Sequence, residues 1–143
     1  MHSLSKMNAI VRYGNLWRTP KLADTGIGAC DRPYLFYICH HQGVSQDTLS
    51  DALFVNKSSV ARRLAYLEKQ EYVTRTPDPK DRRVLLVYPT ERALAALPLL
   101  REVGAAWRER LTEGFTPDEV AQFEDLLARA MQNAERVGEE ERT

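Results

Sequence analysis

Apolar residues recur along this chain at helical spacing in six stretches and at strand spacing in one. Met7, Ile10, Val11, Gly14 and Trp17 fall at i, i+3, i+4, i+7 and i+10, which predicts an amphipathic helix over residues 4 to 18, stopped before Pro20. Thr19 to Gly28 carries Pro, Asp and two Gly and reads as a loop. Ala29 to His41 returns to helix with Leu35, Ile38 and Cys39 on one side, and Pro33 fits only in its first turn.

Three later helix starts share one device, an apolar residue before the cap and another at the fourth helical position. Ser45 caps a helix ending near Phe54, with Val44 and Leu49 as the staple and Leu49, Ala52 and Leu53 as the buried face. Asn56 caps a helix running to about Gln70, with Val55 and Val60 as the staple and Val60, Leu64 and Leu67 buried. Thr116 caps the last, with Glu119 closing a capping box, Pro117 at the first helical position and an apolar stripe through Phe123, Leu126, Leu127, Ala130, Met131 and Ala134 to about Val137. Because only Val55 and Asn56 separate the first two of these helices, they must meet at a sharp angle, as a helix-turn-helix does.

Between residues 72 and 89 the pattern changes. β-Branched and aromatic residues flank Pro77-Asp78-Pro79-Lys80-Asp81-Arg82-Arg83, which predicts two strands around a turn. Thr90 to about Leu111 is again helical, with Leu94, Leu97, Leu100, Val103, Trp107 and Leu111 on one stripe and a kink expected at Pro98.

At 143 residues, 43% hydrophobic and 28% charged, the chain is long enough for one packed domain and too rich in apolar residues to be disordered. The amino terminus lacks a signal-peptide pattern, two cysteines are too few for a disulfide scaffold, and no apolar run approaches the roughly 20 residues a bilayer requires. A cytoplasmic protein with no membrane partner is expected.

Net charge is +0, yet it is unevenly placed: residues 1–56 carry 5 basic and 4 acidic groups, residues 57–83 carry 8 and 4, and residues 84–143 carry 7 and 12. On a helical wheel at about 100° per residue, with Val60 at zero, Ser58, Ser59, Arg62, Arg63, Tyr66 and Lys69 all lie away from the core. Glu68, the one acid, sits beside the core. Arginine can fork onto guanine edges or hold phosphate, and hydroxyls and the helix amino terminus suit phosphate oxygens. Lys80, Arg82 and Arg83 at the hairpin tip add a finger suited to a narrow A·T-rich minor groove. Taken singly each is a solvated charged surface; adjacent and both cationic, they point to duplex DNA.

The run from Gly43-Val44-Ser45-Gln46 through the helix pair, Leu67-Glu68-Lys69, and Asp78-Pro79-Lys80-Asp81-Arg82-Arg83 with Thr90 seven residues on resembles the MarR family of bacterial winged-helix transcriptional regulators. The resemblance implies a mainly α fold with a small β-hairpin wing, that is, a winged helix-turn-helix plus a helical dimerisation region. It implies one domain over 1–143, with dimerisation helices in 1–28 and 98–143 and the DNA-binding region in 29–97. It further implies a homodimer on a palindromic operator, with Lys57, Ser58, Ser59, Arg62 and Arg63 at recognition-helix positions, Arg83 as the wing arginine and Asp81 as the acid that braces it; Ser45, Tyr66, Lys80 and Arg82 complete the candidate DNA-binding set. The chain departs from the family at Glu71, where glycine is usual, and at Pro89 and Ala93 after the wing.

Dimerisation also has support in the residues themselves, since the stripes of the first helix and the last two are more apolar surface than the helix pair and wing can cover. A small aromatic effector is a further possible partner: Trp17, Tyr34, Tyr37, His40 and His41 are candidates for lining its pocket, although aromatics at helical spacing more often belong to a core. Cys30 and Cys39, about 13.5 Å apart if both are helical, cannot bridge; they read as buried and inert, with oxidant sensing as the alternative. His40 and His41 have no partner at metal-ligand spacing, and no cofactor is expected. Nucleophile-elbow, zincin, phosphate-loop and Cys-x-x-Cys motifs are all missing, which argues against an enzyme. A winged helix that binds protein instead of DNA is the remaining rival.

Overall fold

The computed structural model describes residues 2–142 and divides into two compact units, Met1–Trp107 and Arg108–Thr143. The first contains α1 (Ser3–Leu22), a 3-10 turn (Ala23–Thr25), α2 (Arg32–His40), β1 (Val44–Ser45), α3 (Gln46–Leu53), α4 (Lys57–Lys69), β2 (Val73–Pro77), β3 (Leu85–Pro89) and most of α5 (Glu91–Leu111); α6 (Pro117–Arg142) lies in the second.

The caps form as the sequence predicts. Ser45 Oγ accepts the Thr48 amide, Asn56 Oδ1 accepts the Ser59 amide, and Thr116 and Glu119 exchange side-chain and backbone bonds. Each satisfies backbone donors that a helix start otherwise leaves open. Pro33 sits in the first turn of α2. Leu49 from α3 and Val60, Leu64 and Leu67 from α4 are fully buried, joined by Leu35, Ile38, Val73, Val87 and Leu100. That shared core fixes the angle between α3 and α4.

Several boundaries differ from expectation, each for a local reason. α1 continues through Pro20 to Leu22. Leu16, whose carbonyl loses its partner to the proline ring, is 70% exposed and open to water, while Thr19 Oγ1 and Lys21 Nζ donate to the neighbouring Asn15 and Trp17 carbonyls. α2 begins at Arg32, three residues late, because Asp31 and Gly28 close a separate turn before it. α3 ends at Leu53, so Phe54, in the left-handed conformation at φ 53°, joins Val55 and Asn56 in the turn; Ala52 is exposed and Leu53 half-buried. In α5 the buried set is Ala93, Leu97, Leu100 and Val103, and Leu94 is 42% exposed. α6 extends to Arg142, with Arg136 and Glu140 paired one turn apart.

The sheet has three antiparallel strands in the order β1-β3-β2, one more than the hairpin alone. β1 is two residues long and pairs Val44 with Val87, opposite Arg75 of β2. Gly43, at φ 86°, turns the chain into β1 with the Tyr88 ring packed where a Cβ would lie.

Glu71 follows α4 at φ 65°, a left-handed backbone that costs a non-glycine residue about 1 kcal/mol or more. Thr90 spans this turn: its hydroxyl lies 2.7 Å from the Glu71 carbonyl and 3.1 Å from that of Tyr72, and accepts the Ala93 amide at the start of α5. The entry to α5 is thus kept despite Pro89. Glu71→Gly should raise unfolding stability by up to about 1 kcal/mol in a urea titration, because glycine removes the left-handed penalty at an exposed position. Equal or lower stability would show that the turn carries no strain.

Candidate nucleic-acid interface

The cations of α4 and those of the β2–β3 turn are carried on elements tied together by half-buried hydrogen bonds. Glu68, on the core-proximal side of α4, takes the Arg75 backbone amide at 3.1 Å and its guanidinium at 3.2 Å. Arg75 also donates to Gln46 at 3.0 Å. One arginine on β2 therefore ties the hairpin to the end of α4 and to the first turn of α3. A small hollow at the turn end of the hairpin, where β3 begins, is lined by Arg83, Val84 and Leu85 together with Gln46 and Asp47 of α3.

The hairpin tip is held by its own side chains. The Asp78 carboxylate accepts the Lys80 amide at 2.9 Å, and the Asp81 carboxylate accepts the Arg83 amide and forks onto its guanidinium at 3.1 and 3.2 Å. The Arg83 guanidinium, then its amide, hold the Asp81 carboxyl below its ordinary range. The depressed value means the brace is in place above the ordinary carboxylate range and disappears as pH falls through the lowered value. Arg83 remains 91% exposed in its side chain. Lys80 and Arg82 are exposed, and neither forms a salt bridge among the described residues.

On α4, Lys57, Ser58 and Arg62 face solvent, and Ser59 is half-buried. Lys57 lies 3.5 Å from Asp47, Ser58 donates to the Asn56 cap, and Arg62 donates to the Ser59 hydroxyl at 3.1 Å. Ser45 is half-buried and occupied with capping α3. An exposed pair such as Lys57–Asp47 contributes little and is readily exchanged for a phosphate.

Arg63 and Tyr66 do not join this outward set. Arg63 forks onto Asp31, Nε to Oδ1 at 2.7 Å and the terminal nitrogen to Oδ2 at 2.6 Å, and Asp31 is 0% exposed. Tyr66 donates to the Gly26 carbonyl. A wheel shows only that both side chains leave the core of their own helix; the loop before α2 reaches round to meet them. Sequence reasoning did not find Asp31, Glu68, Arg75 or Gln46 as parts of the frame. The one available signal was Glu68, an isolated acid beside the core of a cationic helix.

The candidate aromatic pocket is not assembled as expected. Tyr34 is buried in the core, where burial raises its hydroxyl pKa; Tyr37 stacks on His41 at 4.0 Å; and Trp17 packs against Trp107 at 5.6 Å. Trp17 borders a cavity of about 340 Å³, with Lys21, Leu99, Glu102, Val103 and Ala106. His40 is exposed with its ring bonded to the Phe36 carbonyl. Cys39 is buried, which raises its thiol pKa, whereas Cys30 is exposed and precedes α2, correcting the expectation that both are buried.

The chain is similar to known proteins in both sequence and fold. The model of the MarR family matches residues 31–84, the segment from Asp31 through the hairpin tip. An uncharacterised HTH-type transcriptional regulator of Bacillus subtilis strain 168, YybA, is 32% identical over 103 residues, covering 72% of this chain and 69% of that protein. A crystal structure of MarR superposes with a TM-score of 0.91 at 26% identity, covering 98% of this chain and 95% of the other. A mutant MarR from E. coli, crystallised with operator DNA, gives 0.78 at 26% identity, covering 88% and 91%.

Proposed function

Since the chain belongs to the MarR family of transcriptional regulators, we propose that it acts as a cytoplasmic homodimeric repressor on a palindromic operator, placing α4 in the major groove and the β2–β3 wing in the adjoining minor groove. Regulators of this family are not enzymes. The observation that carries the reading is the exposed set Lys57, Ser58, Arg62, Lys80, Arg82 and Arg83, borne on elements that Glu68, Arg75 and Gln46 tie together. The E. coli relative bound to operator DNA supports it.

A partner copy would cover the apolar residues left open on each unit by itself: Leu4, Met7, Val11 and Leu16 on α1, and Leu126, Leu127 and Met131 on α6 are all more than 40% exposed. In this reading Ser45, Ser59 and the amino-terminal turn of α4 serve phosphates, Arg62 reads base edges, and Arg83 enters the minor groove on its Asp81 brace. Arg63 and Tyr66 hold the helix in place, and release by a small effector would act on this arrangement.

Selection of bound fragments from the source genome, followed by footprinting, should return an inverted repeat with half-site centres about 10 base pairs apart. Recovery of fragments with no shared repeat would contradict the operator reading.

A further inference from the structure

Arg63, Tyr66 and Gln70 lie on one side of α4 at i, i+3 and i+7, and the segment Thr25–Asp31 lies along all three. Asp31 forks onto Arg63. The Gly26 carbonyl accepts the Tyr66 hydroxyl, and Gly26, at φ 75°, packs so closely on Gln70 that a Cβ there would lie 2.6 Å from its Oε1. The far end is pinned as well: Thr25 O accepts both the Tyr72 hydroxyl and Arg92, whose other nitrogen holds the Gln70 carbonyl at 2.8 Å.

Asp31 stands at the cap position of α2 but makes no cap bond there; its carboxylate takes the Gly28 amide at 2.7 Å and otherwise serves Arg63. A completely buried carboxylate is desolvated at a cost that its arginine partner roughly offsets, so such a pair adds little net stability over apolar residues of like volume. What it adds is a fixed geometry, because a two-pronged fork admits one orientation of the two helices that carry it. The sides of α4 are thereby divided: Arg62 faces out, while Arg63 is drawn back.

We propose that Thr25–Asp31 is a clasp that sets the orientation of the DNA-reading helix, with Asp31 a positioning residue for duplex binding that acts through Arg63. The inference rests on the DNA-binding reading above. The segment follows α1 through the Ala23–Thr25 turn, so it is also the covalent link between that helix and the residues that hold α4.

The test uses the full chain and a fluorescein-labelled duplex, both of unrelated sequence and of the selected operator, with binding followed by anisotropy across a salt titration. Circular dichroism and sedimentation of each variant establish that it is folded and of unchanged size. Asp31→Asn and Arg63→Lys should each weaken operator binding about ten-fold, the scale of a coupling change of 1 to 2 kcal/mol. The slope of log affinity against log salt should not change, because every cation that meets a phosphate is still present. The double variant should bind no worse than the weaker single one.

If Arg63 instead touched phosphate, Arg63→Lys would keep near-native affinity, and Asp31→Asn would free the guanidinium and bind as tightly as wild type or more so. Either result overturns the clasp. Should these variants fail to fold, Tyr66→Phe removes only the hydroxyl that bonds Gly26 and should weaken binding at unchanged slope; native affinity there would overturn the proposal too. Failure of the wild type to bind either duplex sinks the underlying reading, whereas Arg62→Ala losing affinity while Asp31→Asn keeps it sinks only the clasp.

Discussion

Arg63→Ala is expected to destabilise the fold by about 3 kcal/mol, the lower end of the range for removing one partner from a buried ion pair. The carboxylate left behind, Asp31, is 0% exposed and keeps only the Gly28 amide. The lower end applies because the Arg63 side chain is 37% exposed, so part of the attraction is already screened by water. Removing both charges, as in Asp31→Asn with Arg63→Met, should recover most of the loss, since the penalty comes from the unpaired buried charge and not from a missing net attraction. Urea unfolding followed by circular dichroism reads both. A loss below about 1 kcal/mol for Arg63→Ala would show that Asp31 reaches water in the native state.

The contrast between Arg63 and its neighbour explains how far the sequence could be read. The helix pair, its caps, the hairpin and the core residues of α4 were legible because each depends on a local rule: Asn56 and Ser45 cap within three residues, and Val60, Leu64 and Leu67 repeat with the helix. Arg62 and Arg63 are adjacent arginines on a wheel whose core face accounts for neither. Their separation is decided by Asp31, 32 residues earlier in sequence than Arg63, and no periodicity reports a contact of that span.

The same holds for the third strand, whose two residues are too few to show alternation, and for Pro20, which stays helical because exposure of Leu16 lets water replace the missing bond. The aromatic residues read as candidates for an effector pocket are placed by contacts of the same long-range kind. Tyr34, Tyr37 and His41 follow one another at helical spacing and Trp17 lies on α1, but three-dimensional packing sends Tyr34 into the core and sets Trp17 against Trp107, on α5. The Asp81–Arg83 brace, by contrast, spans two residues and was readable as a motif.

Arg62→Ala should weaken operator binding by about 1 to 3 kcal/mol and relax preference at one base position, because a guanidinium fork on a base edge is worth about that much discrimination. Arg62 is suited to this as an exposed arginine of α4 whose hydrogen bond to the Ser59 hydroxyl is cheaply exchanged. Arg83→Ala removes a wing cation whose side chain is 91% exposed and should weaken binding to all sequences alike.

The decisive measurement is the salt dependence of duplex binding by the wild type, Arg62→Ala, Arg83→Ala and the pair of substitutions combined. Two cationic elements gripping one duplex predict a steep wild-type dependence, a slope shallower by about 0.9 for each phosphate no longer neutralised, and base preference that changes with Arg62 but not with Arg83. Superimposable titrations for all four proteins would contradict the account at its root.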